Sequence, residues 1–268
     1  MSFFPQRIVS LQPSASVILD ALGARDRLVA CTKYCEEVLP GISQGRLVVA
    51  DSWSSQAAEI LAAQPDLVIA SVPYQLESVA EILKAGLPFL GLAPRTLADI
   101  YRDVAMIAGV IGEPKAGTEV IASMQAALAE VREKVRAETS KPRGFCEEWG
   151  KPLIASQPWV AELVEAAGGQ FVAHPGQQTT AEAVLAANPD CVIAAWCGAG
   201  NRVPLEKIVE QRGWRGMKAV RNRQVFCLPD PWLNTPAPTL LQGLNAIAAI
   251  LHPRLFPEPA GVRRIGVA

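Results

Sequence analysis

Six tryptophans stand against two histidines and three tyrosines in this chain of 268 residues. Histidine does most acid–base work and much metal ligation near neutral pH, and two of them leave few candidates. An indole instead offers a flat apolar face with one N–H donor at its rim, which suits stacking on a planar ligand. Trp53, Trp149, Trp159, Trp196 and Trp232 fall in expected loops at strand ends, with Tyr34 and Tyr74 in comparable places in the first half. The sixth, Trp214, stands apart from that set and reads as structural. Polar side chains sharing these loops are Gln12, Ser14, Asp51, Ser52, Gln157, Asp230 and Asn234. Gln12-Pro13-Ser14 ends a strand and opens a helix, so its backbone N–H groups can face a polar ligand group. Glu147 and Glu148 are adjacent, and in a strand they point to opposite faces, which rules them out as a carboxylate pair. No G-x-G-x-x-G, phosphate-binding loop or H-E-x-x-H occurs, and Gly198-Ala199-Gly200 lacks the rest of a dinucleotide fingerprint. The expectation is a binding protein, not an enzyme, with no intrinsic cofactor.

Composition narrows the partners. Lys plus Arg number 25 and Asp plus Glu 26, a formal charge of −1. Nucleic acid is thereby excluded as a general partner, because displacing phosphate counterions takes a basic excess. Half of the residues are hydrophobic and 19% are charged, enough to build a core. No run of about 18 uninterrupted apolar residues occurs, so no segment spans a membrane as a helix. Of the six cysteines, Cys31 and Cys35 lack C-x-x-C spacing, and a chain this long does not need a disulfide framework.

The elements that position these residues alternate. Strands are expected at 7–11, 28–31, 66–70 and 87–92, with helices at 14–22, Ser14 as N-cap, and 75–85. Alternation at this spacing means βαβ units and a mostly parallel sheet. From Glu113 to Arg136 the pattern changes: Val120, Met124, Leu128, Val131 and Val135 recur at spacings of three and four, giving one amphipathic helix of about 35 Å. On either side the sequence repeats. Residues 57–70, AAEILAAQPDLVIA, align without a gap on residues 181–194, AEAVLAANPDCVIA. The reading is α/β, with two Rossmann-like lobes carrying parallel sheets and joined by a single long backbone helix. The divisions are 1–112, 113–140 and 141–268, with a ligand cleft between the lobes.

These residues resemble a known family. The opening PQRIVSLQPSASVILDALGARDRLVACTKYC is similar to the first strand–helix–strand of class III substrate-binding proteins of ABC importers. The stretch GFCEEWGKPLIASQPWVAELVEAAGGQFV resembles their vitamin-B12-binding branch, and the likeness continues to residue 256. It implies a monomeric protein that captures a corrinoid, cobalamin or cobinamide, and hands it to an ABC permease. Trp53 and Trp232 match family aromatic positions that pack on the ligand. Where some relatives carry a further Trp, this chain has Gly176 with His174 nearby, and His174 is a candidate axial ligand to a cofactor metal, a surface-loop histidine being the competing reading. The resemblance also implies one exposed glutamate per lobe for docking on the permease. Glu182 matches; in the first lobe the position is Ala58, with Glu59 one residue away, or about 100° around a helix. A haem or iron–siderophore binder on the same fold is the alternative, and an aromatic, amide-rich loop set with few bases leans toward the corrinoid. The family implies a periplasmic or extracytoplasmic place. The N-terminal residues show no signal-peptide pattern, so a cytoplasmic corrinoid-binding or sensing protein is a further alternative.

Overall fold

The computed structural model describes residues 3–51, 54, 56–72 and 76–266. The chain divides into two compact units: Met1–Ser123 with Pro236–Pro238, and Met124–Thr235 with Thr239–Ala268. In the first unit the elements are β1 (Ile8–Ser10), α1 (Pro13–Ala21), β2 (Leu28–Thr32), α2 (Lys33–Val38), β3 (Leu47–Val49), α3 (Ala57–Ala62), β4 (Leu67–Ser71), α4 (Leu76–Lys84), β5 (Phe89–Leu92) and α5 (Leu97–Ile111). Then comes α6 (Pro114–Val135), a helix of 22 residues inside which the division at Ser123 falls. The second unit continues with β6 (Arg143–Gly150), β7 (Leu153–Ala155), α7 (Pro158–Ala166), β8 (Gln170–Phe171), α8 (Ala181–Ala187), β9 (Cys191–Ala194) and α9 (Leu205–Gln211). It ends with α10 (Lys218–Arg221), β10 (Val225–Cys227), α11 (Pro231–Asn234), α12 (Leu240–Leu251) and β11 (Arg263–Arg264).

The first sheet runs β3-β2-β1-β4-β5, all parallel. Because side chains alternate along a strand, each central strand feeds two cores. Ile8 and Ile69 pack with Ile18, Leu19, Val104 and Ile107 on one face. Val9 and Val68 pack with Leu11, Ile60 and Ile82 on the other. This is why the strands read as unbroken apolar runs: both faces are covered. The α1 helix differs from expectation at its start. Gln12 is its N-cap, Pro13 takes the first position, where a missing N–H costs nothing, and Ser14 sits buried inside the first turn.

The second sheet runs β11-β10-β9-β6-β7, with β8 beside the first residues of β6. Its centre, β10-β9-β6, is parallel, but β7 and β11 are antiparallel. The mostly parallel sheet that was expected is present, with antiparallel strands added at its two edges. Only two residues separate β6 from β7, far fewer than a parallel crossover needs, so the chain turns straight back as a hairpin.

The repeat extends to individual hydrogen bonds. Asp66 accepts the backbone N–H groups of Gln6 and Arg7, both at 2.8 Å, while the Arg7 guanidinium donates to the carbonyls of Ala63 and Gln64. In the second unit Asp190 accepts the Arg143 N–H at 2.8 Å, and Arg143 donates to the Ala187 carbonyl at 2.7 Å. The residues before each Pro-Asp, Gln64 and Asn188, both take positive φ, 49° and 46°. An Arg–Asp latch thus joins the helix end to the start of the neighbouring strand in each unit. All six cysteines are free.

Burial works against ionisation of Asp190, but the Arg143 amide and the Lys218 ammonium outweigh it and hold its carboxyl below the usual range. A depressed carboxylate stabilises the fold above its unfolded pKa and loses that contribution as pH falls. Asp190→Ala should therefore cost about 1 kcal/mol at pH 7, with the difference from wild type fading below about pH 4. Urea midpoints across pH check this, and a pH-independent difference would count against the latch.

Candidate functional site

The second unit builds its most developed site at the carboxyl ends of β6 and β9. Glu147 and Glu148 leave β6 on opposite faces. Glu147 is fully buried and receives both guanidinium nitrogens of Arg212, Nη1 to Oε2 at 2.6 Å and Nη2 to Oε1 at 2.7 Å. Its Oε1 also accepts the Trp196 indole N–H at 2.8 Å. Arg212 caps the end of α9, donates to the Gly150 carbonyl at 3.2 Å, and lies 4.9 Å above the Trp214 ring. Glu148 accepts the Gln157 amide at 2.7 Å, and burial raises its pKa despite that bond.

This ion pair floors a pocket of ≈ 710 Å³ whose walls include Trp149, Trp196, Lys151, Lys207, Ile208 and Gln211. Trp149 is 43% exposed and its indole N–H is tied to the Lys151 carbonyl at 2.8 Å, which fixes the ring in place. Trp196 lies directly on Gly150; a Cβ at that position would overlap the indole, so only glycine admits this packing. Among the described residues, no aspartate or glutamate lines the pocket.

Asp230 and Asn234, expected as ligand contacts, hold the loop that carries Trp196. Asp230 accepts the Gly198 and Gly200 N–H groups, each at 2.9 Å. Asn234 donates to the Ala195 carbonyl at 2.7 Å and approaches the Cys197 sulfur at 3.3 Å. Surrounding protein, then the Glu148 and Asp230 carboxylates, push the Cys197 thiol up to about 12. It is a neutral thiol at physiological pH.

The other expected residues lie elsewhere. Trp159 was expected in a loop; it is the second residue of α7, buried, with its indole N–H on the Leu233 carbonyl at 2.8 Å, and so it is a tie within the second unit. Trp232 is half-buried in α11, its ring against Gly261. Trp214 is fully buried and donates to the Ala181 carbonyl at 2.9 Å. His174 sits exposed in the loop after β8, and no group of three or more His, Cys, Asp or Glu able to hold a metal occurs among the described residues. In the first unit Gln12 and Ser14 open α1 after β1, and Tyr34 is half-buried in the first turn of α2 with the Lys33 ammonium 4.9 Å from its ring. Trp53, Tyr74 and Ser52 lie outside the described residues. Glu59 accepts the Ala50 N–H at 3.2 Å, whereas Glu182 is exposed in the first turn of α8, its pKa lowered by its own amide and by the Thr180 hydroxyl.

Sequence reasoning passed over Arg212, Lys151 and Lys207, which ordinary surface positions conceal. It also passed over Gly41-Ile42-Ser43-Gln44-Gly45, which has the spacing of a hydrolase nucleophile elbow. Here those residues form turns between α2 and β3, and the Ser43 hydroxyl donates to Glu36 at 2.7 Å, so no strand–turn–helix elbow is present there.

A family model described as periplasmic binding protein matches residues 8–231. An uncharacterized ABC transporter substrate-binding lipoprotein of Bacillus subtilis is 24% identical over 269 residues, 95% of this chain and 82% of that one. A vitamin B12-binding protein of Vibrio parahaemolyticus is 27% identical over 253 residues, 91% of this chain and 88% of that one. Among solved structures, a periplasmic heme binding protein from Pseudomonas aeruginosa superposes with a TM-score of 0.86 at 21% identity, covering 97% of this chain and 98% of that one.

Removing one partner of a buried pair leaves the other charge uncompensated. Arg212→Met should cost about 3–5 kcal/mol, and adding Glu147→Gln should recover a large part of that loss. Urea unfolding of the two single variants and the double variant checks it. Equal, additive losses from both substitutions would show that the pair is not coupled.

Proposed function

The chain belongs to the periplasmic binding protein family, the substrate-binding proteins of ABC importers, and we propose that its cargo is a corrinoid, cobalamin or cobinamide. The observation that carries this reading is the fixed pair of indoles, Trp149 and Trp196, on one pocket at the carboxyl edge of the second sheet. A corrinoid presents flat, largely apolar surfaces with amides at the ring's rim, and aromatic faces beside polar side chains are the natural complement of such a ligand. The vitamin B12-binding relative supports the same ligand class.

Haem is the competing cargo, favoured by the haem-binding protein of matching fold and by the lysines of the pocket. Haem iron generally takes an axial ligand from the protein, from His, Met, Tyr or a Cys thiolate. Among the described residues that line the pocket there is no His, Met or Tyr, and the one thiol, Cys197, is neutral. Haem iron and corrinoid cobalt are each held by four ring nitrogens, but cobalamin supplies a fifth ligand from its own base. The pocket therefore asks less of a corrinoid than of haem.

In this proposal the protein works outside the cytoplasm as a monomer and delivers the corrinoid to an ABC permease. No helix among the described residues is long and apolar enough to cross a membrane. Glu182, exposed on the first turn of α8, is the docking residue of the second unit, and Glu59, occupied by the Ala50 amide, is the weaker one.

Titration with cyanocobalamin should quench tryptophan fluorescence with one molecule bound per chain. Trp149→Ala should weaken binding about tenfold or more. Binding of hemin with no response to either corrinoid would reverse the choice of cargo. Glu182→Ala should weaken association with the cognate permease and leave corrinoid affinity unchanged; if association survives, Glu182 is only a surface charge.

A further inference from the structure

The pocket at Trp149 and Trp196 has a charge pattern that a neutral macrocycle does not use. Three cations line it, Lys151, Lys207 and Arg212, and no carboxylate does. Arg212 is neutralised by Glu147 beneath the floor. Lys151 and Lys207 are exposed, and neither has an ion pair among the described residues. The overall charge of −1 makes this local excess a property of the site, not of the chain. Elsewhere the carboxylates near the site are already engaged: Asp230 by two backbone amides, Glu148 by Gln157 and Cys197, Glu210 by Arg215.

Two aromatic faces beside two unneutralised lysines, in one pocket of ≈ 710 Å³, match a planar base that carries a phosphate. Resting on the corrinoid reading, we infer that this pocket takes the lower nucleotide of cobalamin, its benzimidazole base against Trp149 and Trp196 and its phosphodiester at Lys151 and Lys207. Cobinamide has the same ring without that base and phosphate. The pocket is thus a specificity device: it separates complete cobalamin from its truncated precursor. Exposed charges of this kind are screened by salt, so the discrimination should shrink as ionic strength rises.

The test compares cyanocobalamin, dicyanocobinamide and adenosine monophosphate on the wild type, on Lys151→Ala/Lys207→Ala and on Lys151→Arg/Lys207→Arg. Both lysines are exposed, so the variants should fold, and circular dichroism verifies that. The wild type should prefer cyanocobalamin over dicyanocobinamide by about tenfold to a hundredfold. The alanine pair should lose that preference by weakening cyanocobalamin alone, and the arginine pair should keep it. Equal affinity for the two corrinoids in the wild type, unchanged in the alanine pair, overturns the inference and leaves the corrinoid cargo standing. Failure of both corrinoids to bind overturns the cargo; lysine-dependent binding of adenosine monophosphate in that case keeps the base-and-phosphate pocket but assigns it to a free nucleotide.

Discussion

The second unit is organised around a charge taken out of water. Glu147 is fully buried, and a carboxylate in that position is tolerable only with a partner of matched geometry. Arg212 supplies a two-pronged match, and Trp196 fills part of the remaining acceptor capacity of one oxygen. The three groups arrive from β6, from the end of α9 and from the loop after β9. Satisfying one buried carboxylate therefore fixes the mutual position of a strand, a helix and a loop. Hydrophobic side chains of similar volume would fill the space, but they would not dictate which way the Trp196 ring faces. The indole N–H must point inward to Glu147, so the ring plane is set, and Gly150 clears the space it occupies.

The two units repeat one another at the edge where their central strands begin. At the start of the central strands both use the same latch, Arg7 with Asp66 and Arg143 with Asp190, following the same left-handed residue before Pro-Asp. That edge carries the closure of the helix–turn–strand unit, and its chemistry is constrained by backbone groups that every copy must satisfy. At the carboxyl edge the second unit has the buried ion pair, the two indoles and a loop held by Asp230 and Asn234. In open parallel α/β sheets this is the edge at which ligands bind.

The strands at the centres of both sheets were legible because burial on both faces leaves unbroken apolar runs, and α6 because its period persists for six turns. The short members β3, β7, β8 and β11 were not, since two or three residues carry no period. Within the site, Trp149 and Trp196 could be placed at strand ends from order alone. Trp159 was misplaced because α7 starts at Pro158, immediately before it, and the helix turns its ring into the core. Asp230 and Asn234 were found as residues but not in role: whether a carboxylate meets a ligand or two glycine amides 30 and 32 residues away depends on loop geometry. Arg212 was invisible, since nothing local marks an arginine at a helix end as the partner of a glutamate 65 residues earlier.

The lysines expose the same limit in the reading of charge. Counting bases within the expected loops gave few, and this leaned toward a neutral, amide-rimmed ligand. The pocket draws Lys151 from the β6–β7 turn, beside Trp149, and Lys207 from the body of α9, outside those loops. Local charge is a product of tertiary proximity, while composition reports only the sum. A formal charge of −1 is compatible with a pocket whose lining holds cations and no acids, provided the acids are spent elsewhere on backbone amides and surface pairs. Here they are, and the aromatic excess first seen in the sequence becomes selective through that arrangement. Stacking alone would accept any flat ring of suitable size, whereas stacking beside positive charge favours a ring that carries an anion.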